Sequence, residues 1–140
     1  MDRQQRFEAL TTIPEAAAIR LAERMLADAP GPVAVITPPT IGMVMARAVD
    51  GARGETFNLG EVLVTEARVS VDGHEGWGMV LGRAPDHAMS VAVVDASIEA
   101  GHPQRAAVER ELAALAAEAQ TATAQEWAQV APTRVQFDVF

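Results

Sequence analysis

The sequence predicts an α+β fold, a mostly antiparallel sheet packed against amino-terminal and carboxy-terminal helices in one domain. Three observations carry that expectation. Helical periodicity is confined to the two ends, while the middle holds successive runs of β-branched residues, and successive strands argue against a doubly wound parallel sheet. Asp72-Gly73 separates two alternating runs, a hairpin signal of the type that permits positive backbone angles at both turn residues. Pro85 to Ala100 is apolar nearly all round its helical circumference, so it should be the buried central helix of the core. The 140 residues fit a single domain, and no internal repeat, low-complexity tract or long linker divides them.

Taken in order, Arg3 to Leu10 reads as a short polar helix, and Pro14-Glu15 opens a second helix. Its apolar positions Ala18, Leu21, Ala22, Met25 and Leu26 fall on one face. Pro30-Gly31-Pro32 ends it. Val33 to Ile36 predicts a strand, Pro38-Pro39 a break, Met43 to Val49 another strand, and Asp50 to Gly54 a turn. From Val62 to Val71 the residues alternate loosely, with a slip around Glu66 that marks a candidate bulge.

His74 to Leu81 returns antiparallel with Trp77, Met79 and Leu81 on one face, and Gly76 and Gly78 strip the other face of side chains. A neighbouring backbone, a ligand or a partner must approach there. Gly101 caps the central helix, Pro103 starts the next, and Val108, Leu112, Leu115 and Ala119 form its apolar stripe, with Trp127 near its end. Val135, Phe137 and Val139 predict a terminal strand.

Composition excludes whole classes of chemistry. The chain has no cysteine, so it has no disulfide, no thiolate nucleophile and no cysteine metal site. A net charge of −8 opposes binding to nucleic acid or anionic lipid, and the eleven basic residues, all arginine, never form a run. The longest nearly apolar segment, Ala88 to Ile98, is interrupted by Ser90, Asp95 and Ser97 and is far short of the ~20 residues of a membrane span. The amino terminus lacks a basic segment followed by an apolar run, and a cytoplasmic location is expected. His74, His87 and His102 lie too far apart for a compact metal motif, and without lysine there is no nucleotide-binding loop of the usual kind.

One constellation has two readings. Gly82-Arg83 precedes a helix whose first turn holds Pro85, Asp86 and His87, a natural seat for a phosphate or phosphonate oxygen. Alternatively Asp86 satisfies the exposed helix amides, Arg83 pairs with it and His87 is solvated; spacing alone favours this cap. Asp95, on an otherwise apolar helix, reads as a buried carboxylate satisfied by backbone or arginine ahead of a general base. Glu61 and Glu66 read as solvent-facing.

The ordered set Gly60-Glu61, Thr65, Asp72-Gly73, Gly82-Arg83, His87-Ala88, Val94-Asp95-Ala96 and Thr133-Arg134-Val135-Gln136-Phe137 resembles the G subunit of the bacterial carbon-phosphorus lyase core complex. The similarity covers roughly residues 5 to 140 and is strongest from Phe57 to Ala96. Two features depart from the family pattern: Glu66 stands where arginine follows the threonine, and the tail expected after the last strand is missing beyond Phe140.

The resemblance implies an accessory subunit that works with PhnH-, PhnI- and PhnL-like subunits to replace the adenine of ATP by a phosphonate. The product would be a ribose 1-phosphonate 5-triphosphate. A PhnJ-like subunit would then cleave the carbon-phosphorus bond with an iron-sulfur cluster and S-adenosylmethionine, and PhnK-like ATPases are further possible partners. No cofactor is expected on this chain itself. Arg83 and His87 are then candidates for a subunit or anion contact, Asp95 for holding the site internally, and Thr65 and Glu61 are further interface or anion-binding candidates. The competing expectation is a stand-alone homo-oligomeric binding or regulatory module. An obligate subunit should expose a large apolar patch or self-associate when made alone, whereas a stand-alone module should be well behaved and keep a closed pocket.

Overall fold

The computed structural model describes residues 1–130, so the expected strand around Val135, Phe137 and Val139 lies outside the described residues. The first helix, α1 (Arg3–Thr12), starts at a reciprocal cap. The Asp2 carboxylate accepts from the Gln5 amide at 2.8 Å, and the Gln5 side chain accepts from the Asp2 amide at 2.9 Å. Helix α2 (Glu15–Ala27) follows Pro14 and buries Ala17, Ala18, Leu21, Ala22 and Met25. Leu26, expected on that face, is exposed instead, because it lies one residue past Met25 and so rotates off the stripe.

Three strands follow, β1 (Val33–Val49), β2 (Thr56–Val71) and β3 (His74–Leu81), antiparallel in the order β1-β2-β3. Two expectations are corrected here. Pro38-Pro39 does not split β1 in two; the strand continues through register shifts between Val35, Thr37 and Thr40. Proline is tolerated because β1 is an edge strand among the described residues, where one side of the backbone has no ladder to donate to. The slip anticipated in β2 at Glu66 is absent, since pairing with β3 is unbroken from Val64 to Val71. The irregularity sits on β1 opposite it, and the bulge in β2 falls at Gly60, whose φ of +136° suits glycine.

The β2–β3 turn is the expected one, with φ of 48° at Asp72 and 78° at Gly73. Helix α3 (Pro85–Glu99) is buried on nearly every side, with Ala88, Val91, Ala92, Val94, Ala96 and Ile98 fully enclosed. It lies on the sheet face bared by Gly76 and Gly78. A β-carbon at Gly76 would overlap the Ala92 carbonyl and the Ala96 backbone, and one at Gly78 the Ala88 carbonyl. Of the three explanations for the bare face, the neighbouring backbone is the one realised.

Helix α4 (Arg105–Val130) begins two residues after Pro103, buries Val108 and Leu112, and is exposed at positions 121–129, Trp127 included.

The sheet is longer than the helix that covers it. Thr65, Ala67, Val69 and Val71 of β2 are buried. Further along, cross-strand partners share a face, so Ile41, Met43 and Met45, opposite Thr65, Leu63 and Glu61, prolong the face that α3 covers. There they are 43%, 55% and 46% exposed. The outer parts of β1 and β2 thus form an arm that projects from the core.

Candidate functional site

Two constellations organise the chemistry of this chain, one at the free edge of β3 and one at the β3–α3 junction. At the edge, Asp95 is 6% exposed and accepts five hydrogen bonds. One oxygen takes Arg6 Nη2 at 2.7 Å, Arg6 Nε at 3.2 Å and Arg3 Nε at 3.3 Å; the other takes Arg3 Nη2 at 2.9 Å and the Trp77 amide at 3.1 Å. Asp95 is therefore the arginine- and backbone-satisfied carboxylate its sequence context suggested, with its acceptor capacity used up.

Arg6 is itself 1% exposed. It also donates to Glu99, and its Nη1 lies 3.9 Å from Glu109. Arg3, half exposed, reaches past Asp95 to the Glu75 carbonyl at 2.9 Å. The hydrogen bond to Asp95 raises the Arg3 pKa above its already high ordinary value, against the smaller opposing effect of burial. A raised pKa on a cation keeps its contribution in full at every pH below the ordinary value, so Arg3 adds no pH dependence near neutrality.

The cluster does structural work on the strand edge. Asp95 takes the outward amide of Trp77 and Arg3 takes the Glu75 carbonyl, groups that would otherwise stand unpaired. Phe7 of α1 stacks on Trp77 with ring centroids 5.1 Å apart, fixing α1 along the same edge. The Trp77 indole donates to Glu66 at 2.9 Å, and Arg68 lies 3.5 Å from that carboxylate. Glu66 is thus paired rather than simply solvent-facing.

At the junction, the expected cap is not formed. Helix α3 has no side-chain cap, and Asp86 is exposed, only its backbone carbonyl being engaged, by the Ser90 hydroxyl at 2.7 Å. Arg83 is exposed and makes no ion pair among the described residues. His87 is not solvated; it is 9% exposed and its Nε2 donates to the Leu10 carbonyl at 2.9 Å. The residue that organises the turn is Thr65, fully buried on β2. Its hydroxyl donates to the Gly82 carbonyl at 2.6 Å and accepts from the Ala84 amide at 3.0 Å, bracketing Arg83.

The structure therefore brings Thr65 to the Arg83 turn and leaves the other candidates apart. His87 faces α1. Asp95 is eight residues further along α3, roughly 12 Å by helical rise. Glu61 is exposed on the arm opposite Met45. Arg3, Arg6 and Glu99 escaped the reading of the sequence. Their signal was present as two arginines three apart on the first helix and two acids four apart on α3, each pair on one helical face.

His102 is likewise structural: Nε2 donates to the Met25 carbonyl at 3.0 Å while Nδ1 accepts from the Gln104 amide at 3.0 Å. Among the described residues no three His, Asp or Glu side chains converge as metal ligands. The polar cleft of about 530 Å³ beside β3 carries Arg3 and Arg68 together with Glu75 and Glu99, and its arginines are already paired. A second cleft, of about 480 Å³, is lined by Phe7 and Thr12 of α1, by Val64, Trp77 and Leu81 of the sheet, and by His87.

Compared with known proteins, the whole chain, residues 1–140, matches the family model described as phosphonate metabolism protein PhnG. A protein of Rhizobium meliloti (strain 1021), alpha-D-ribose 1-methylphosphonate 5-triphosphate synthase subunit PhnG, is 35% identical over 106 residues, covering 75% of this chain and 67% of that one.

Proposed function

The chain belongs to the PhnG family of phosphonate metabolism proteins, and from that premise we propose that it is an accessory subunit of a ribose 1-methylphosphonate 5-triphosphate synthase. In this reading it assists, within a complex, the conversion of ATP and methylphosphonate to the ribose 1-methylphosphonate 5-triphosphate with release of adenine. PhnI-, PhnH- and PhnJ-like subunits are its partners, with PhnK- and PhnL-like ATPases possible additions. ATP is then a substrate of the assembly, and the iron-sulfur cluster and S-adenosylmethionine belong to another subunit.

The observation that carries the subunit role is the arm. Ile41, Met43, Met45, Val49, Phe57 and Leu59 are each 43–66% exposed and lie on its two adjacent strands. Six large apolar residues of that exposure present on the order of 600 Å², most of the ~800 Å² that one partner contributes to a standard-size interface and at the upper end of what a typical monomer leaves uncovered. Arg83, held out by Thr65 with no ionic partner among the described residues, is the candidate for an anion or subunit contact. Glu61 joins it as a candidate subunit contact on the arm. Asp95 and His87 act from inside, by fixing α1 to the body.

The test is co-expression with the candidate PhnI-, PhnH- and PhnJ-like subunits, capture through a tag on this chain, and a wash in high salt. Recovery of the PhnI-like subunit in constant ratio is the expected result. Recovery of this chain alone, folded and monodisperse, overturns the reading. Asp substitutions at Met43 and Met45 should abolish capture without unfolding the chain. Arg83→Ala, in the complex that still forms, should lower synthase turnover if Arg83 meets a phosphonate or phosphate oxygen.

A further inference from the structure

The two edges of the sheet are treated in opposite ways. On β3, Asp95 and Arg3 occupy outward backbone groups, and Phe7 stacks on Trp77 to hold α1 alongside. On β1 there is no such device among the described residues: one charged residue, Arg47, in 17, and apolar side chains exposed along most of its length. Proteins ordinarily blunt an exposed edge with charges, proline or a covering element, because unpaired backbone groups template the pairing of another chain. Here proline blunts only the first half. Ile41 to Val49 is free of it, nine residues long, and paired on one side only among the described residues.

We infer that Ile41–Val49 is a strand-addition site: an extended, apolar segment of a different polypeptide, a partner subunit, pairs with the outer edge of β1 and enlarges the three-stranded sheet. This rests on the subunit reading above and specifies how the partner binds. In such a mode main-chain hydrogen bonds supply much of the affinity, and alternate side chains read the two faces of the arm. The faces are suited to it, with Ile41, Met43 and Met45 on one and Val44, Ala46 and Ala48 on the other. The exposed apolar area of the arm, on the order of 600 Å², is most of the ~800 Å² that one side of a stable interface contributes. Charge argues against a second copy as the occupant, since two chains of net charge −8 repel one another.

Residue-resolved amide hydrogen exchange, on the full chain alone and on the co-expressed complex, tests this. Alternate amides between Ile41 and Val49, those turned away from β2, should exchange freely in the isolated chain and slow by about tenfold or more in the complex. The intervening amides, already bonded to β2, should change little. A complex that forms while the outward amides exchange as before overturns strand addition and leaves the subunit reading standing. Failure to form any complex overturns the subunit reading, and the inference with it. Protection already present in the isolated chain overturns the inference too: if it grows with concentration the occupant is a second copy, and if it does not the occupant is part of this chain.

Discussion

Strand β2 passes through two regions that differ in almost everything except their secondary structure. From Thr65 to Val71 its odd residues are sealed under α3, and from Thr56 to Leu63 its residues are exposed or half-exposed on the arm. Both halves are rich in β-branched and apolar residues, and both pair with β1 in the same antiparallel sense. What separates them is the reach of one helix. Helix α3 is 15 residues long, about 22 Å by helical rise, whereas a 16-residue strand extends over about 53 Å. The lesson is that strand formation and strand coverage are separate matters. The same alternation makes a core where a helix covers it and an adhesive surface where none does.

The sharpest way to break the covered region is to unpair its buried charge. Asp95→Ala leaves Arg6, 1% exposed, without the acceptor of two of its hydrogen bonds, and should cost about 3–5 kcal/mol in urea unfolding. Next is a direct glycine comparison. Gly78→Val drives a side chain into the Ala88 carbonyl of α3 and should cost about 3 kcal/mol. Gly42→Val, on the arm with open space around it, should change stability by no more than about 0.5 kcal/mol. Equal losses from the two glycine variants would show that the arm is packed as tightly as the core.

Thr65→Val keeps the shape but removes the hydroxyl that bridges Gly82 and Ala84, and should cost about 1–2 kcal/mol. It should also weaken any property that depends on Arg83, whereas a purely local packing role would leave those properties unchanged. The smallest expected change in stability comes from the arm's apolar face. Met43→Lys and Met45→Lys should leave the urea midpoint of the isolated chain within about 0.5 kcal/mol while reducing its capture of co-expressed partner subunits. Unchanged capture would mean that the arm is not the adhesive surface.

Legibility followed the range of the interactions involved. The Asp72-Gly73 turn, the helix starts near Pro14 and Pro85, the Gly101 cap and the burial of α3 are short-range consequences of backbone angle and periodicity, and all were readable. Pro38-Pro39 misled because a proline's cost in a strand depends on whether it lies at an edge, which is a property of the sheet. The Arg83–Asp86 cap failed for a similar reason. The Ala84 amide at the start of α3 is satisfied by a hydroxyl 19 residues earlier, on another element. Arg3 and Arg6 sat in plain view on a polar helix, yet nothing local distinguishes an arginine that will be buried against Asp95 from one that will be solvated.

Taken alone, then, the sequence determined the element types, most of the turns, the absence of thiol chemistry and the ordered residue set that carries the family resemblance. All of these depend on residues close together along the chain, or on composition. Tertiary structure alone decided which backbone fills the face bared by Gly76 and Gly78, and which arginines reach Asp95 some 90 residues away. It also decided that α3 stops short of the sheet, leaving Ile41, Met43 and Met45 uncovered. Those outcomes depend on where elements meet in space, and a side chain's burial, unlike its backbone preference, is set by neighbours distant in sequence.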